Sequence, residues 1–175
     1  VHIGRWKELH QACNVALEKW RASHPNSPAS KWTDSFYMTG DYDCASIDYK
    51  PQYADAGFKS MVNFYFPKHG DLDNITYTWQ AYADSVASHN DWHPFSYLNN
   101  SYHRDADSTN MIDCATTLLL SPGVAQVFYG DETGRKLSEA RLNVDSDQAF
   151  RSDMNWNNIN DTLLQHFQKL GKTRN

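Results

Sequence analysis

The sequence predicts an α/β fold with a parallel sheet, and three observations carry that prediction. Short apolar segments suited to buried strands alternate with segments whose apolar residues recur every three or four positions. Of the 175 residues, 40% are hydrophobic and 14% aromatic, enough for one domain with a sizeable core. The longest apolar run, near Leu118–Leu120, is far shorter than the roughly 18 residues of a membrane span.

A helix is predicted first, and four strands follow it. The helix pattern ends at Pro25, because proline cannot continue a helix. The residues of its apolar stripe are Trp6, Leu9, Cys13, Ala16, Leu17 and Trp20. The predicted strands are Phe36–Thr39 closed by Gly40, Met61–Phe66 stopped by Pro67, Phe95–Leu98, and Val124–Tyr129 ended by Gly130.

Helical patterns separate the later strands and close the sequence. They are centred on Trp79–Val86 and Met111–Leu119, and a last one runs from Leu163 to Leu170 with Gly171 at its end. Strands that alternate with helices imply a parallel sheet. Four such units make either a small open α/β protein or half of an eight-fold barrel, which would have two free sheet edges.

Composition excludes several classes of function. With 16 Lys+Arg against 21 Asp+Glu the net charge is −5, so the basic patch of a nucleic-acid-binding protein is not expected. The three cysteines, Cys13, Cys44 and Cys114, are too far apart in sequence for a CxxC pair. Among the eight histidines, His89 and His93 are the one pair at HxxxH spacing and no pair has HxH spacing; without a wider ligand pattern, no metal site is predicted within this chain.

The segment Leu118–Glu132, LLLSPGVAQVFYGDE, decides between these folds. It resembles the last helix–strand unit of the catalytic barrel in the alpha-amylase family of glycoside hydrolases. Met38-Thr39-Gly40, Gly57–Phe64 and Phe95–Leu98 resemble that barrel's fifth strand, its approach to the sixth and its seventh. Arg151–Trp156, RSDMNW, resembles a segment after the eighth strand of bacterial periplasmic-type alpha-amylases.

The resemblance implies that residues 1–175 form part of an alpha-amylase-type catalytic barrel domain, starting just after the fourth strand. The expected fold is then the second half, strands five to eight, of a TIM (β/α)8 barrel that is incomplete as a chain. Ligands of such barrels bind at the carboxyl-terminal ends of the strands. His2 matches the histidine that closes the family's fourth-strand motif, and the family's nucleophile would fall upstream of Val1.

The acid/base and the third carboxylate of the family both depart from its pattern here. The family reads Thr-Gly-Glu after the fifth strand, whereas this sequence has Asp41, which is one methylene shorter and is followed by Tyr42. A shift of about 1 Å in a catalytic group can cost on the order of 100-fold in rate. The family's His-Asp pair falls on Ser101 and Tyr102, with His103 and Asp105 a few residues later.

Two hypotheses follow from this resemblance. In the first, the chain is part of a retaining glycosidase for α-linked glucans, with Asp41 as acid/base, Asp105 as stabiliser, and His2 and His103 gripping the sugar. In the second, it is a degenerate amylase-like protein that binds glucan, or has a structural role, and Tyr42, Trp92 and Tyr102 are candidate stacking surfaces.

The resemblance also implies partners and a location. The implied partners are an α-glucan or maltooligosaccharide and an upstream half-barrel chain. From the net charge and the short apolar runs, neither a nucleic-acid partner nor a membrane span is expected. No cofactor is expected in this chain, although relatives carry a structural calcium near the third and fourth strands. The family favours a secreted or periplasmic location. Asp131 and Glu132 are expected to anchor a loop rather than to catalyse.

Overall fold

Four parallel strands form one sheet in the computed structural model, which describes residues 2–41, 45–68, 73–100, 110–136 and 151–174. The strands lie side by side in chain order, and every neighbouring pair is parallel. This confirms the predicted α/β class and parallel sheet, and it is compatible with part of a barrel. The strands are β1 (Met38–Gly40), β2 (Phe58–Asn63), β3 (His93–Tyr97) and β4 (Val124–Gln126).

Helices precede, separate and follow these strands. None of the helices in the described residues is long and apolar enough to cross a membrane. Their bounds are α1 (Ile3–Ser23), α2 (Pro51–Asp55), α3 (Ile75–Ser88), α4 (Met111–Leu120) and α5 (Asp161–Arg174), and a 3-10 turn covers Pro28–Lys31. The short helix α2 was not predicted, because five residues give too little periodicity to recognise.

The predicted start of β1 was wrong, and α1 explains why. The backbone N–H of Phe36 donates to Asn14 Oδ1 at 2.7 Å, and Phe36 O lies 3.0 Å from His10 Nε2. Side chains of α1 therefore bind the backbone N–H and C=O of Phe36, the groups that a strand would use for pairing. At the other end, β1 includes Gly40, which was predicted to close it. Gly40 pairs with Met61, and a side chain at this position would collide with the Met61 sulfur.

The other strands also differ from their predicted limits. The strand β2 begins three residues earlier than predicted and ends at Asn63, whose side-chain oxygen accepts the Tyr65 N–H at 3.2 Å. That bond turns the chain, so Phe64–Phe66 lie outside the strand. The strand β3 begins two residues earlier than predicted. The strand β4 stops at Gln126, and a turn containing Gly130 (φ 90°) follows.

Two apolar clusters form the core of the described residues. One joins α4 and α5, with Leu118, Leu163 and Phe167 among its buried members. The other lies between β1, α2 and β2 and includes Trp92, which is 1% exposed. Trp92 is therefore a core residue, and its predicted use as a stacking surface for sugar was wrong.

The last helix continues past the glycine that was predicted to end it. The α5 helix runs through Gly171 to Arg174, whose guanidinium donates to the carbonyls of Leu119 and Ser121 at 2.8 Å each and to that of Gly123. These carbonyls follow or end α4, where helices leave acceptors unpaired. Desolvation lowers the pKa of Arg174 from its ordinary value. The last turn of α5 thus supplies hydrogen-bond donors to carbonyl groups at the end of α4.

A buried polar group ties α3 to the sheet. Asn63 Nδ2 donates to Tyr82 Oη at 2.6 Å and to Ser96 Oγ at 3.3 Å, and Asn63 and Ser96 are almost fully buried. Burial raises the pKa of the Tyr82 phenol above its ordinary 10.0, although its bonds with Asn63 and Ser96 lower it in part. The neutral phenol is therefore the form that the fold favours.

We expect this phenol to make the protein less stable at alkaline pH. Because the pKa is raised on folding, the stabilising effect is complete below the unfolded value near 10 and is lost as the pH rises through the folded value. Urea unfolding between about pH 8 and 11 measures it. Tyr82→Phe should flatten the alkaline decline in unfolding free energy, whereas Tyr77→Phe, at a tyrosine that is 80% exposed, should leave it unchanged. Equal slopes in the two variants would contradict this assignment.

Candidate functional site

Asp41 stands at the carboxyl-terminal end of β1, the position from which parallel barrels present their functional groups. Its side chain is exposed. Below it, a chain of hydroxyl groups crosses from β1 to β2, since Ser60 Oγ donates to Thr39 Oγ1 at 2.8 Å and Tyr37 Oη donates to Ser60 Oγ at 3.0 Å. Ser60 is completely buried, so these bonds fix the strand pair beneath the carboxylate.

An apolar cavity of about 520 Å³ opens beside Asp41. It lies between α1 and β1, and both helix and strand contribute to its walls. The volume falls within the range of small-molecule sites. Its lining is mostly aromatic and aliphatic and includes Trp6, Leu9, Phe36, Tyr37, Tyr53 and Phe58.

His2 lies towards the same end of the sheet as Asp41. Trp6 lines the cavity together with Asp41, whereas Asn14, two turns further along α1, binds the backbone just before β1. The helix therefore runs opposite to the strand, and its first turn lies towards the strand's carboxyl-terminal end. His2 precedes that turn, its carbonyl accepts the Arg5 N–H at 3.0 Å, and its side chain is exposed.

The remaining predicted site residues lie outside the described residues. They are Tyr42, directly after Asp41, and Tyr102, His103 and Asp105 in the segment after β3. Their predicted roles stay predictions. Ser101, the other position of the family's His-Asp pair, lies in the same segment.

Sequence reasoning missed a layer of polar side chains at the carboxyl-terminal ends of β2, β3 and β4. Lys68 Nζ lies 3.3 Å from Tyr97 Oη and 4.4 Å from the centre of that ring, and both residues are buried. Asn99 Nδ2 donates to Asp131 Oδ1 at 2.7 Å, with both residues almost inaccessible. The available signal in the sequence was a polar residue soon after the end of each strand. Lys68 was not recognised in this way, because it follows an apolar strand and a proline.

The two acidic residues after β4 anchor their loop, as predicted. Asp131 accepts the bond from Asn99, and Glu132 Oε2 accepts the Gly130 N–H at 2.9 Å. The neighbouring Arg135 is 2% exposed, and its guanidinium lies 4.2 Å from the Tyr129 ring and donates to the carbonyl and hydroxyl of Ser152. This arrangement joins the loop after β4 to the segment that precedes α5.

The described residues therefore offer one accessible carboxyl group beside an apolar cavity, on a parallel sheet of the kind used by barrel enzymes. A carboxyl group in such a place can exchange a proton with a bound molecule, and aromatic walls can pack against apolar faces. Within the described ranges, no three His, Cys, Asp or Glu side chains gather where a metal ion could be held.

The arrangement is that of an α/β fold with an exposed carboxyl group, Asp41, at a strand end. Comparison with known proteins adds a particular relative. The chain is 28% identical to the periplasmic alpha-amylase of Escherichia coli (strain K12) across 186 aligned positions, which cover 99% of this chain and 26% of that protein. The chain thus spans about a quarter of the length of the relative it matches. No family model matches it.

Proposed function

We propose that this chain supplies strands five to eight of an alpha-amylase-type catalytic barrel that hydrolyses α-linked glucans with retention of configuration. The observation that carries the proposal is the similarity to periplasmic alpha-amylase along 99% of the chain, together with an exposed Asp41 at a strand end of a parallel sheet. A maltooligosaccharide is the substrate class that this similarity favours.

In this proposal Asp41 is the acid/base. A retaining glycosidase needs a carboxylic acid to protonate the leaving oxygen and a second carboxylate about 5 Å away to attack the sugar. Asp41 is exposed at the carboxyl-terminal end of its strand, as a proton donor to a bound sugar must be. His2 and His103 grip the sugar, Tyr42 and Tyr102 contact it, and Asp105 stabilises the distorted ring.

The nucleophile then comes from outside residues 1–175. An upstream half-barrel, on the same polypeptide or on another chain, would carry it and would cover the open side of β1. A secreted or periplasmic location and a calcium site in the full-length protein go with this proposal, since both are features of the family.

A second function is favoured by the site residues themselves. Aspartate in place of glutamate at position 41, and Ser101-Tyr102 in place of a His-Asp pair, disturb two positions that the family uses for catalysis. The alternative is a glucan-binding or structural protein that keeps the barrel and has lost the chemistry. Tyr42 and Tyr102 would then act by packing against the sugar's C–H face.

A chimera separates these two functions. The matched segment of the Escherichia coli periplasmic alpha-amylase is replaced by this chain, and release of reducing ends from maltoheptaose is measured. We expect turnover that Asp41→Ala lowers by at least about 100-fold, because no general acid is left. Asp41→Glu should raise the rate by restoring the lost methylene of reach.

The control is Asp34→Ala, which removes a carboxylate before β1 and should leave the rate unchanged. Full activity in the Asp41→Ala chimera would refute the acid/base role. If the chimera folds and binds maltoheptaose in calorimetry, yet neither it nor its Asp41→Glu variant turns over, the binding function is the correct one.

A further inference from the structure

A turn shortly before α5 presents a tryptophan to solvent. The backbone N–H of Asn158 donates to the carbonyl of Asn155 at 2.8 Å, so Trp156 and Asn157 form the corner of this turn. Trp156 is 70% exposed, which leaves most of a large apolar ring in water. Single exposed apolar side chains are common, so the meaning of this exposure depends on how the turn is held.

The side chain of Asn155 holds the turn through three hydrogen bonds. Its Oδ1 accepts from Thr133 Oγ1 at 2.6 Å, and its Nδ2 donates to the carbonyls of Thr133 and Asn158 at 2.9 Å and 2.7 Å. The Asn160 N–H also donates to the Thr133 carbonyl, at 3.1 Å. Thr133 is buried, so the turn is anchored to the interior of the protein while the ring of Trp156 remains in solvent.

The backbone before Trp156 is anchored as well. Arg135 Nη1 and Tyr129 Oη both donate to the Ser152 carbonyl, at 3.1 Å and 3.0 Å, and Ser152 is buried. The segment Arg151–Trp156 therefore contains two residues that fix the backbone, Ser152 and Asn155, and one large ring that this backbone displays. A side chain held in place before binding loses less conformational entropy when a ligand packs on it.

The turn belongs to the carboxyl-terminal end of the sheet. Thr133 lies in the loop after β4, and Asp131 of the same loop accepts a hydrogen bond from Asn99, just past the end of β3, at 2.7 Å. Asp41 stands at the same end of β1. Three inter-strand spacings, about 14 Å in all, separate β1 from β4 along the sheet. Asp41 and Trp156 can therefore contact different units of one elongated ligand.

We propose that Trp156 is a stacking residue for a remote sugar unit of a bound α-glucan, outside the centre around Asp41. An indole ring packs against the C–H face of a sugar. Asp153, Asn157 and Asn158, next to it in the chain, are exposed and carry carboxylate and amide groups that can bond sugar hydroxyls. One ring among polar groups suits a sugar better than a protein partner, which needs a wider apolar patch. The choice of an α-glucan rests on the proposed function.

Native electrophoresis of the chain in gels that contain soluble starch measures this binding without any turnover. We expect starch to retard the chain. Trp156→Ala and Trp156→Gln should each weaken the apparent binding by about tenfold, as expected for the loss of one stacking face. Trp156→Phe keeps an aromatic face and should retain most of the retardation. Trp32→Ala removes another exposed tryptophan, which lies before β1, and as the matched control it should bind like the parent.

Asn155→Ala distinguishes a displayed ring from any ring at this position. This variant keeps Trp156 but removes the three side-chain hydrogen bonds that hold the turn, so we expect starch binding between that of the parent and that of Trp156→Ala. Far-ultraviolet circular dichroism establishes that each variant is folded. Since two substitutions remove the ring, a failure of one to fold leaves the other to decide.

Three results would overturn the proposal: no retardation of the parent by starch, a folded Trp156→Ala or Trp156→Gln variant that is retarded like the parent, or an equal loss in Trp32→Ala. Because the gel reports binding alone, its outcome is separate from the acid/base role of Asp41. A chimera that hydrolyses maltoheptaose, with starch binding that does not depend on Trp156, would refute this inference and leave the proposed function standing.

Discussion

Replacing Gly123 with alanine should lower the free energy of unfolding by about 3 kcal/mol. Gly123 has φ 96°, a conformation that costs an L-residue about 1–2 kcal/mol. An added Cβ would also stand 2.6 Å from the carbonyl oxygen of Pro94, a backbone atom of β3 that cannot rotate away. Overpacking of that kind adds about 1–3 kcal/mol. For a chain of this size we expect the melting temperature to fall by about 10 °C.

Gly171→Ala is the matched control, and its expected sign is opposite. Gly171 lies inside α5 with no atom near the position of an added Cβ. Alanine is favoured over glycine in a helix by about 0.5–1 kcal/mol, so this variant should be slightly more stable than the parent. Urea unfolding of both variants gives the comparison. Destabilisation by Gly171→Ala would mean that α5 ends at the glycine after all.

Replacing Arg135 with methionine should lower the free energy of unfolding by a similar amount, about 3 kcal/mol. The guanidinium is 2% exposed and donates to the carbonyls of Tyr129 and Ser152, at 3.3 Å and 3.1 Å. Methionine keeps most of the volume but leaves buried acceptors without those bonds, at about 1–3 kcal/mol for each such group. The variant also loses the contact between the Arg135 guanidinium and the face of the Tyr129 ring. A cation over an aromatic face contributes about 1 kcal/mol.

Arg5→Met provides the comparison for Arg135. Arg5 forms an exposed pair with Glu8 at 2.9 Å, a kind of contact that is worth between 0 and about 1 kcal/mol. Thermal unfolding should therefore distinguish the two arginines clearly. Similar small losses in both variants would show that the loop after β4 is held without Arg135.

The order of elements could be predicted from sequence, whereas their ends depended on tertiary contacts. The strands around Met38, Val62, Phe95 and Ala125 are all present. The alternation of apolar segments with segments of helical periodicity can be recognised in the sequence without knowledge of tertiary contacts. The start of β1 could not be predicted, since it is set by Asn14 of α1, more than twenty positions earlier. The end of α5 was predicted wrongly at Gly171 for a similar reason, because Arg174 holds the last turn of α5 through carbonyls at the end of α4.

The candidate site was predictable only in part. Asp41 was found because it follows an apolar strand and a family-like Thr-Gly pair. Lys68 and Tyr97 were not, since what distinguishes them is a distance of 3.3 Å between residues 29 positions apart. Trp92 was misjudged because an aromatic residue reads the same in sequence whether it faces a ligand or the core. Such pairings depend on packing, which periodicity does not encode.

The chain-order arrangement of the strands has a consequence for how the molecule folds. Each strand pairs with its immediate predecessor, as in Thr39 with Ser60 and Ser96 with Ala125, so every pairing closes a loop of only about twenty to thirty-five residues. Loop-closure entropy rises slowly with length, and loops this short are inexpensive to close. A nascent chain can therefore add one strand at a time as it leaves the ribosome, without waiting for its last residues.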